Sequence, residues 1–68
     1  MAANLSYEPP AVPLGKIKQF GPVGPQYEIR RVLRPVDDGD WLLEIKLVDS
    51  GEIADYRYSH MLDDPEAP

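Results

Sequence analysis

From position 14 onward, apolar and polar residues alternate in four short runs, and this period of two is typical of strands that are half buried in a sheet. The runs are rich in β-branched and aromatic residues, which strands favour. They cover positions 16–20, 27–34, 41–48 and 52–58. The pattern therefore predicts a small antiparallel meander of three to four strands.

Short polar segments between the runs carry the residues that tight turns require. Asp37-Asp38-Gly39 and Asp49-Ser50-Gly51 are typical of hairpin turns, because glycine adopts the positive φ that such turns need. Gly21-Pro22-Val23-Gly24-Pro25 predicts a rigid loop between the first two strands. After the last strand, Ser59 as an N-cap and Pro65 as a stop predict a single C-terminal helical turn.

The two ends of the chain differ from its middle. Three prolines among residues 1–13 predict a flexible or polyproline-like tail, and 14–65 then form a single domain. We expect 66–68 to be a disordered end. A Pro-rich tail could also dock into an aromatic groove of another protein, but unstructured termini are common and the flexible tail is favoured.

Cross-strand pairing can be predicted because a slip of one residue moves every side chain of a strand to the other face. The favoured registers place Leu33 opposite Trp41 in the first hairpin and Asp49 opposite Glu52 in the second. The first makes the pairs Tyr27–Leu47, Ile29–Ile45, Glu28–Lys46 and Arg30–Glu44. The second makes the pairs Lys46–Asp55, Glu44–Arg57, Ile45–Tyr56 and Leu43–Tyr58. Together they give the sheet one apolar and one charged face.

A lone sheet of this size is only marginally stable, so its apolar face must be covered. The side chains available for this are Ile17 and Phe20 from the first strand, and Met61 and Leu62 from the helical turn. The predicted fold is mainly β, a partly closed SH3-like barrel or roll with a short C-terminal helical turn. This likeness concerns the fold and carries no function.

Arg31 and Val32 do not fit the predicted registers. Arg31 falls on the apolar face opposite Leu43, where an unpaired guanidinium is costly, and Val32 falls on the charged face. One explanation is a β-bulge near these two residues. Another is that Arg31 extends to the sheet edge and lies over Tyr58 as a cation–π pair. We favour these two explanations over a functional alternative, in which Arg31 anchors an anionic ligand.

Composition narrows the possible functions. The 68 residues include 12 acidic and 7 basic side chains, a net charge of −5, and no cysteine, which excludes disulfides and thiolate zinc sites. A net negative charge opposes binding to phosphates. Most basic residues nevertheless precede position 36, and a small patch could bind nucleic acid. That patch would consist of Lys16, Lys18, Arg30, Arg31 and Arg34.

Candidate chemistry is sparse. His60 is the only histidine, and Asp37 to Asp40 lack the spaced ligands of a calcium loop. We therefore expect no enzymatic activity, no catalytic residue, no metal and no cofactor. The N-terminus has neither the basic nor the apolar region of a signal peptide, and no apolar run is long enough to cross a membrane. A cytoplasmic location without membrane contact is expected.

Several short motifs between 14 and 65 occur in a recognisable order. They are Phe20-Gly21-Pro22, Gly24-Pro25 with Tyr27, Asp38-Gly39-Asp40-Trp41, Ser50-Gly51-Glu52, Tyr56-Arg57-Tyr58 and Leu62-Asp63-Asp64-Pro65. In this order they resemble a family of short bacterial proteins of unknown function. The resemblance implies a bacterial, cytoplasmic, stand-alone domain and transfers no activity, ligand or catalytic residue.

The sequence favours a non-enzymatic protein-interaction module that contacts a partner protein or a second copy through a sheet edge or an aromatic face. The candidate binding residues are Tyr27, Arg31, Trp41, Tyr56 and Tyr58. An alternative is a nucleic-acid-binding or regulatory module that uses the basic patch, with aromatic side chains for stacking. Mimicry of nucleic acid by the acidic surface is disfavoured, because the predicted charges alternate in sign.

Overall fold

A computed structural model describes residues 8–67 of the chain. It contains four strands followed by one helix: β1 (Ile17–Gln19), β2 (Gln26–Pro35), β3 (Trp41–Leu47), β4 (Ile53–Arg57) and α1 (Tyr58–Asp63). The strands are antiparallel and lie in the order β1-β2-β3-β4. The predicted mainly β meander with a short C-terminal helix is confirmed. The part of the prediction that falls on residues 1–7 and 68 lies outside the described residues.

The sheet is not closed, so the expectation of a partly closed SH3-like barrel is wrong. Closure would require β1 to pair with β4, but these strands lie at opposite edges. The edge of β1 is taken instead by the C-terminal residues of the chain. The Gln19 amide donates to the Pro65 carbonyl (3.0 Å), and the Ala67 amide donates to the Ile17 carbonyl (3.1 Å). Residues 66–67, expected to be disordered, are thus hydrogen-bonded along β1.

The first hairpin follows the predicted register over its open end and departs from it toward the turn. The pairs Tyr27–Leu47, Glu28–Lys46 and Ile29–Ile45 are confirmed. A bulge then follows Ile29, so that Arg31 lies opposite Glu44 and Val32 opposite Leu43. Of the two structural explanations for the misfit of Arg31, the β-bulge is the one observed. It moves the guanidinium to the charged face and Val32 toward the core, which removes both misfits.

A second irregularity between Val32 and Arg34 shifts the register once more. Trp41 consequently pairs with Pro35, and the predicted pair of Leu33 with Trp41 is wrong. The predicted pair of Arg30 with Glu44 is also wrong, because the first bulge, after Ile29, leaves Arg30 without a partner on β3 and places Arg31 opposite Glu44.

The second hairpin keeps its predicted faces but slips by two residues. The observed pairs are Leu42–Arg57, Leu43–Tyr56, Glu44–Asp55, Ile45–Ala54 and Lys46–Ile53, and none of the predicted pairs is found. The reason is the loop, which spans four residues instead of two. The Leu47 amide donates to the Glu52 carbonyl (2.8 Å), the Gly51 amide donates back to the Leu47 carbonyl (2.8 Å), and Gly51 has a φ of +76°.

Helix α1 begins at Tyr58, one residue before the predicted N-cap Ser59. Its N-cap is Arg57, which makes no side-chain capping hydrogen bond. The expected role of Ser59 as N-cap is therefore wrong. No helix in the described part of the chain is long and apolar enough to cross a membrane.

The core lies between the sheet, α1 and the loop after β1. Its buried side chains are Tyr27, Ile29, Leu43, Ile45 and Met61. Phe20 packs against them, as predicted, and so does Val12 from the expected tail. Ile17 and Leu62 were wrongly predicted to cover the core. Ile17 lies opposite Glu28 on the outer face, which places Lys18 on the core side, and Leu62 is 58% exposed.

Candidate functional site

Two tyrosines and one aspartate meet above the core-facing side of the sheet. The Oδ2 atom of Asp64 accepts hydrogen bonds from the hydroxyls of Tyr27 (2.7 Å) and Tyr56 (2.8 Å). Its Oδ1 atom accepts one from the backbone amide of Gly21 (3.1 Å). We call Tyr27, Tyr56, Asp64 and Gly21 the tyrosine–aspartate cluster. Its three donors come from β2, from β4 and from the loop after β1.

The fold brings these groups together for identifiable reasons. Alternation along β2 and β4 turns Tyr27 and Tyr56 to the same face of the sheet. Gly21 has a φ of +68°, a conformation that favours glycine, and its amide donates to Asp64. Asp64 is the C-cap of α1, so the end of the helix determines where the carboxylate lies.

Aromatic rings surround the cluster. The ring of Phe20 lies 4.4 Å from that of Tyr27 and 5.1 Å from that of Tyr56, between ring centroids. His60 makes an edge contact with Tyr56 at 5.7 Å. Such packing contributes beyond the buried area, and it lowers the local dielectric around the hydroxyl groups, which strengthens their hydrogen bonds.

Burial and the Asp64 carboxylate both act against ionisation of the tyrosines. Burial, with the hydrogen bond to Asp64, raises the pKa of Tyr27 far above its ordinary value and that of Tyr56 to about 12. Burial also opposes ionisation of Asp64. The hydrogen bonds from both tyrosines and Gly21, together with the charge of Lys18, outweigh this effect and lower the pKa of Asp64. At neutral pH the cluster therefore consists of neutral donors around an ionised carboxylate.

Lys18 is buried beside the cluster. It is 8% exposed, and its Nζ donates to the Met61 carbonyl (2.5 Å) and lies 3.6 Å from the Met61 Sδ. The Met61 carbonyl lies in the last turn of α1 and also accepts from the Asp64 amide (3.2 Å), so Lys18 adds a charged donor at the C-terminal end of the helix, where cations are favoured. Lys18 thus holds the C-terminal helix to β1.

A second polar group lies at the β2–β3 turn. The Oδ1 atom of Asp40 accepts from the amides of Trp41 (2.8 Å) and Ser59 (3.1 Å), and its Oδ2 atom accepts from the Ser59 hydroxyl (2.6 Å). Arg57 forms an ion pair with Asp38 (2.8 Å) and a longer one with Asp40 (3.4 Å). Asp40 therefore caps the first turn of α1 from a distant turn.

The lowered pKa values of Asp40 and Asp64 predict how the free energy of unfolding depends on pH. The hydrogen bond from the Ser59 hydroxyl, with those from two backbone amides and Arg57, lowers the pKa of Asp40 to about 2 despite burial, and the pKa of Asp64 is also lowered. Unfolded aspartates take up a proton near pH 3.9. The stabilisation is therefore complete above about pH 4 and is lost as the pH falls toward 2.

Urea midpoints measured from pH 7 to pH 2 should be flat to about pH 4 and then fall. In an Asp40→Asn variant the fall should be smaller, because one of the two responsible carboxyl groups is gone. Asp49→Asn, in the exposed loop of the second hairpin, is the matched control and should reproduce the wild-type profile. A midpoint that stays constant down to pH 2 would contradict the assignment.

The five sequence-predicted binding residues do not converge on one place. Tyr27 is buried and Tyr56 is half buried, and both belong to the tyrosine–aspartate cluster. Arg31 lies on the outer face and pairs with Glu44 (3.1 Å). Trp41 is half buried at the opposite end of β3, and Tyr58 begins α1 and packs against the core.

Sequence reasoning missed the roles of Asp64 and Gly21, and it assigned Lys18 to a basic patch instead of to this site. A signal for Asp64 did exist, because two tyrosines on an apolar face need acceptors for their hydroxyls once they are buried. The acidic C-terminal end supplies several such acceptors. Nothing in the local pattern indicates which of them turns inward.

Most of the proposed basic patch is paired. Lys16 forms an ion pair with Glu66 (3.1 Å), Arg30 lies 3.9 Å from Glu28, and Arg31 pairs with Glu44. Lys18 is buried. Within residues 8–67 only Arg34 of this set has no ion-pair or carbonyl partner, and it lies beside a surface depression of about 420 Å³. Competition from these carboxylates disfavours contact with phosphates.

The outer edge of β4 differs from that of β1. The Leu47 amide donates to the Glu52 carbonyl, so these two residues form a hydrogen-bonded pair of the antiparallel ladder. Because such pairs recur at every second residue, the peptide groups of Ala54 and Tyr56 point toward β3, and those of Ile53 and Asp55 point away from it. Among the described residues, none hydrogen-bonds to the outward groups of Ile53 and Asp55. This edge presents a row of unpaired donors and acceptors.

Comparison with known proteins places the chain in a family. A curated relative from Haemophilus influenzae (strain Rd), described as an uncharacterized protein, is 50% identical over 56 residues, which are 82% of this chain and 89% of the relative. Residues 5–68 match the model of a family of unknown function, DUF5397. The resemblance to short bacterial proteins of unknown function is thereby confirmed, and the chain belongs to the DUF5397 family.

Proposed function

We propose that this protein is a non-enzymatic interaction module that binds a strand of another protein along the outer edge of β4. The observation that supports this proposal most strongly is a difference in hydrogen bonding between the two edges of the sheet. The chain covers the edge of β1 with its own residues 65–67, while the outward peptide groups of Ile53 and Asp55 have no partner among the described residues. Exposed edges of this kind bind extended segments by adding a strand.

The side chains along this edge support a partner other than a second copy. Ile53, Asp55 and Arg57 alternate on the outer face, and Ile53 is 51% exposed. A two-fold antiparallel pairing over all of β4 would place Asp55 opposite its own copy, and like charges in that position are destabilising. A strand with an apolar residue opposite Ile53 and a basic residue opposite Asp55 is the better match.

The tyrosine–aspartate cluster is consistent with binding and less so with catalysis. General acids and bases work best with a pKa near the operating pH. The tyrosines have raised pKa values and Asp64 a lowered one, so none of the three exchanges a proton readily near neutrality. We therefore assign no proton-transfer step to the cluster in the proposed module.

Asp55→Pro tests the proposed edge. Proline removes an outward amide that takes no part in the β3–β4 ladder, so the fold should survive while strand addition is blocked. The lysate is that of Haemophilus influenzae, the organism of the relative that is 50% identical to this chain. We expect the wild-type chain to capture a protein from this lysate and Asp55→Pro not to capture it. Upon binding, the wild-type amides of Ile53 and Asp55 should become at least about tenfold more protected from hydrogen exchange.

Val23→Pro is the matched control, because Val23 is 93% exposed in the loop between β1 and β2, far from the edge of β4 in the chain. It should capture the same protein as the wild type. Circular dichroism should show that both variants remain folded. The proposal fails if folded Asp55→Pro captures the same protein as the wild type, or if the wild type captures nothing and remains a monomer in analytical ultracentrifugation.

A further inference from the structure

The residues from Met61 to Ala67 contact the rest of the chain as a bound peptide contacts a domain. Met61 is 2% exposed and lies in the core. Asp64, three residues later, places its carboxylate among three donors. Pro65 and Ala67 then hydrogen-bond to the edge of β1. An apolar anchor, a carboxylate and a strand pairing thus follow one another within seven residues.

Every group that receives this segment belongs to the other part of the fold. The donors to Asp64 are Gly21, Tyr27 and Tyr56, and Lys18 donates to the Met61 carbonyl. Linear peptides are recognised in the same manner, since main-chain pairing supplies affinity and side-chain pockets supply specificity. The place that the Asp64 carboxylate occupies is preorganised, because the hydroxyls of Tyr27 and Tyr56 project from rings that pack against each other and against Phe20.

We propose that the edge of β1 and the three donors of the tyrosine–aspartate cluster, Gly21, Tyr27 and Tyr56, form a binding site for an acidic peptide of another protein, which displaces the chain's own residues 64–67. The matching peptide has an aspartate followed by proline and an acidic residue, which is the pattern of Asp64, Pro65 and Glu66, while Met61 stays in the core. The site takes the core-facing side chain of Tyr56 from β4, whereas the outer edge of β4 consists of the outward peptide groups of Ile53 and Asp55.

The contacts after Asp64 are of a kind that can open locally. Two backbone hydrogen bonds attach Pro65 and Ala67 to β1. The ion pair of Lys16 and Glu66 has side chains that are 41% and 67% exposed, and such exposed pairs contribute little. The affinity for an external peptide is reduced by the fraction of molecules in which the internal segment is open. Weakening the internal segment should therefore increase that affinity.

The first experiment uses Asp64→Asn in the full chain and a labelled peptide with the sequence of residues 60–68. An asparagine amide cannot accept from Gly21 while its oxygen accepts from the tyrosines, so the internal segment is weakened. Fluorescence anisotropy should show binding that is about tenfold tighter than to the wild type. A peptide with asparagine in place of the residue that corresponds to Asp64 should bind at least about tenfold more weakly. Asp63→Asn, next in the chain and exposed, is the matched control and should behave as wild type.

A second measurement uses the wild type and decides the matter if Asp64→Asn does not fold. In native-state hydrogen exchange, the amides of Gln19, Gly21 and Ala67 should exchange by local opening, with at least about tenfold less protection than those of Ile29 and Ile45. Excess peptide should shift the Gly21 amide resonance. Exchange of these amides only through global unfolding would overturn the proposal, as would equal binding of both peptides to folded Asp64→Asn.

Asp55→Pro separates this proposal from the proposed function. Blocking the outer edge of β4 should leave the affinity for the acidic peptide unchanged, because the amide of Asp55 points away from β3 while the Tyr56 side chain lies on the core face. A loss of partner capture with retained peptide binding supports both proposals. Failure of only one measurement identifies which of the two sites has been wrongly assigned.

Discussion

Replacement of Asp64 by alanine is expected to lower the free energy of unfolding by about 3 kcal/mol, because it leaves buried donors without an acceptor. Tyr27 is fully buried, and its hydroxyl donates to Asp64, as do that of Tyr56 and the amide of Gly21. Each unsatisfied buried group costs about 1–3 kcal/mol. Urea denaturation at pH 7, followed by circular dichroism, measures the change.

A double-mutant cycle tests the cause of this loss. Tyr27→Phe alone should cost about 1 kcal/mol, the contribution of a typical hydrogen bond. In the Asp64→Ala background the same change should cost nothing or stabilise the fold, because it removes a hydroxyl that has lost its acceptor. Asp63→Ala is the neighbouring control and should change the free energy by less than about 0.5 kcal/mol. Asp64→Ala with wild-type stability would rule out this account of the cluster.

The size of the effect has to be seen against the stability of a small domain. Folded proteins are stable by roughly 0.05–0.15 kcal/mol per residue, which gives about 3–10 kcal/mol for a chain of this length. Asp64→Ala would therefore remove a large fraction of the total. On this expectation, the hydrogen bond from Tyr27 to Asp64, two residues that are 37 positions apart, accounts for part of the free energy that holds the C-terminal segment to the sheet.

The faces of the central strands could be predicted from sequence because burial dominates there. Ile29, Leu43 and Ile45 fall on the apolar face by alternation, and all three are buried. The register of the second hairpin could not be predicted from charge pairs. Such pairs contribute only about 0.2–1 kcal/mol each, and the four-residue loop that ends at Gly51 determines the pairing instead.

Shorter elements escaped prediction for another reason. Strand β1 has three residues, too few for a period of two to show which side is buried. An apolar Ile17 and a charged Lys18 therefore suggested the wrong face. The charge of Lys18 is tolerated on the core side because the Met61 carbonyl, 43 positions away, accepts a hydrogen bond from it and because it interacts with the Asp64 carboxylate.

The charge asymmetry of the sequence takes on a structural meaning in the fold. Five of the seven basic residues precede position 36, and ten of the twelve acidic ones follow it. Part of this asymmetry joins the end of the chain to its first strand, since Lys16 pairs with Glu66 and the charge of Lys18 contributes to lowering the pKa of Asp64. The acidic end is thus held along β1 as well as contributing to the net charge.

Gly24→Ala is expected to lower the free energy of unfolding by about 2–3 kcal/mol, because the loop between β1 and β2 has no room for a side chain at this position. A Cβ atom on Gly24 would overlap the Phe20 carbonyl oxygen and lie 2.9 Å from the Phe20 Cβ. Neither atom is the free end of a flexible side chain, so the backbone itself must move. That shift would disturb the Phe20 ring, which packs against Tyr27 and Tyr56.

Urea denaturation should show the lower stability of Gly24→Ala, and the aromatic proton resonances of Phe20 and Tyr56 should shift in the folded variant. Val23→Ala changes the adjacent residue, which is 93% exposed, and should alter the free energy by less than about 0.5 kcal/mol. If Gly24→Ala unfolded at the wild-type urea midpoint with unchanged aromatic resonances, the close approach of this loop to Phe20 would not constrain the cluster. A lower urea midpoint together with shifted resonances is the expected result. Because Gly24 is not among the donors to Asp64, this result would show that the loop affects the two tyrosines through the Phe20 ring.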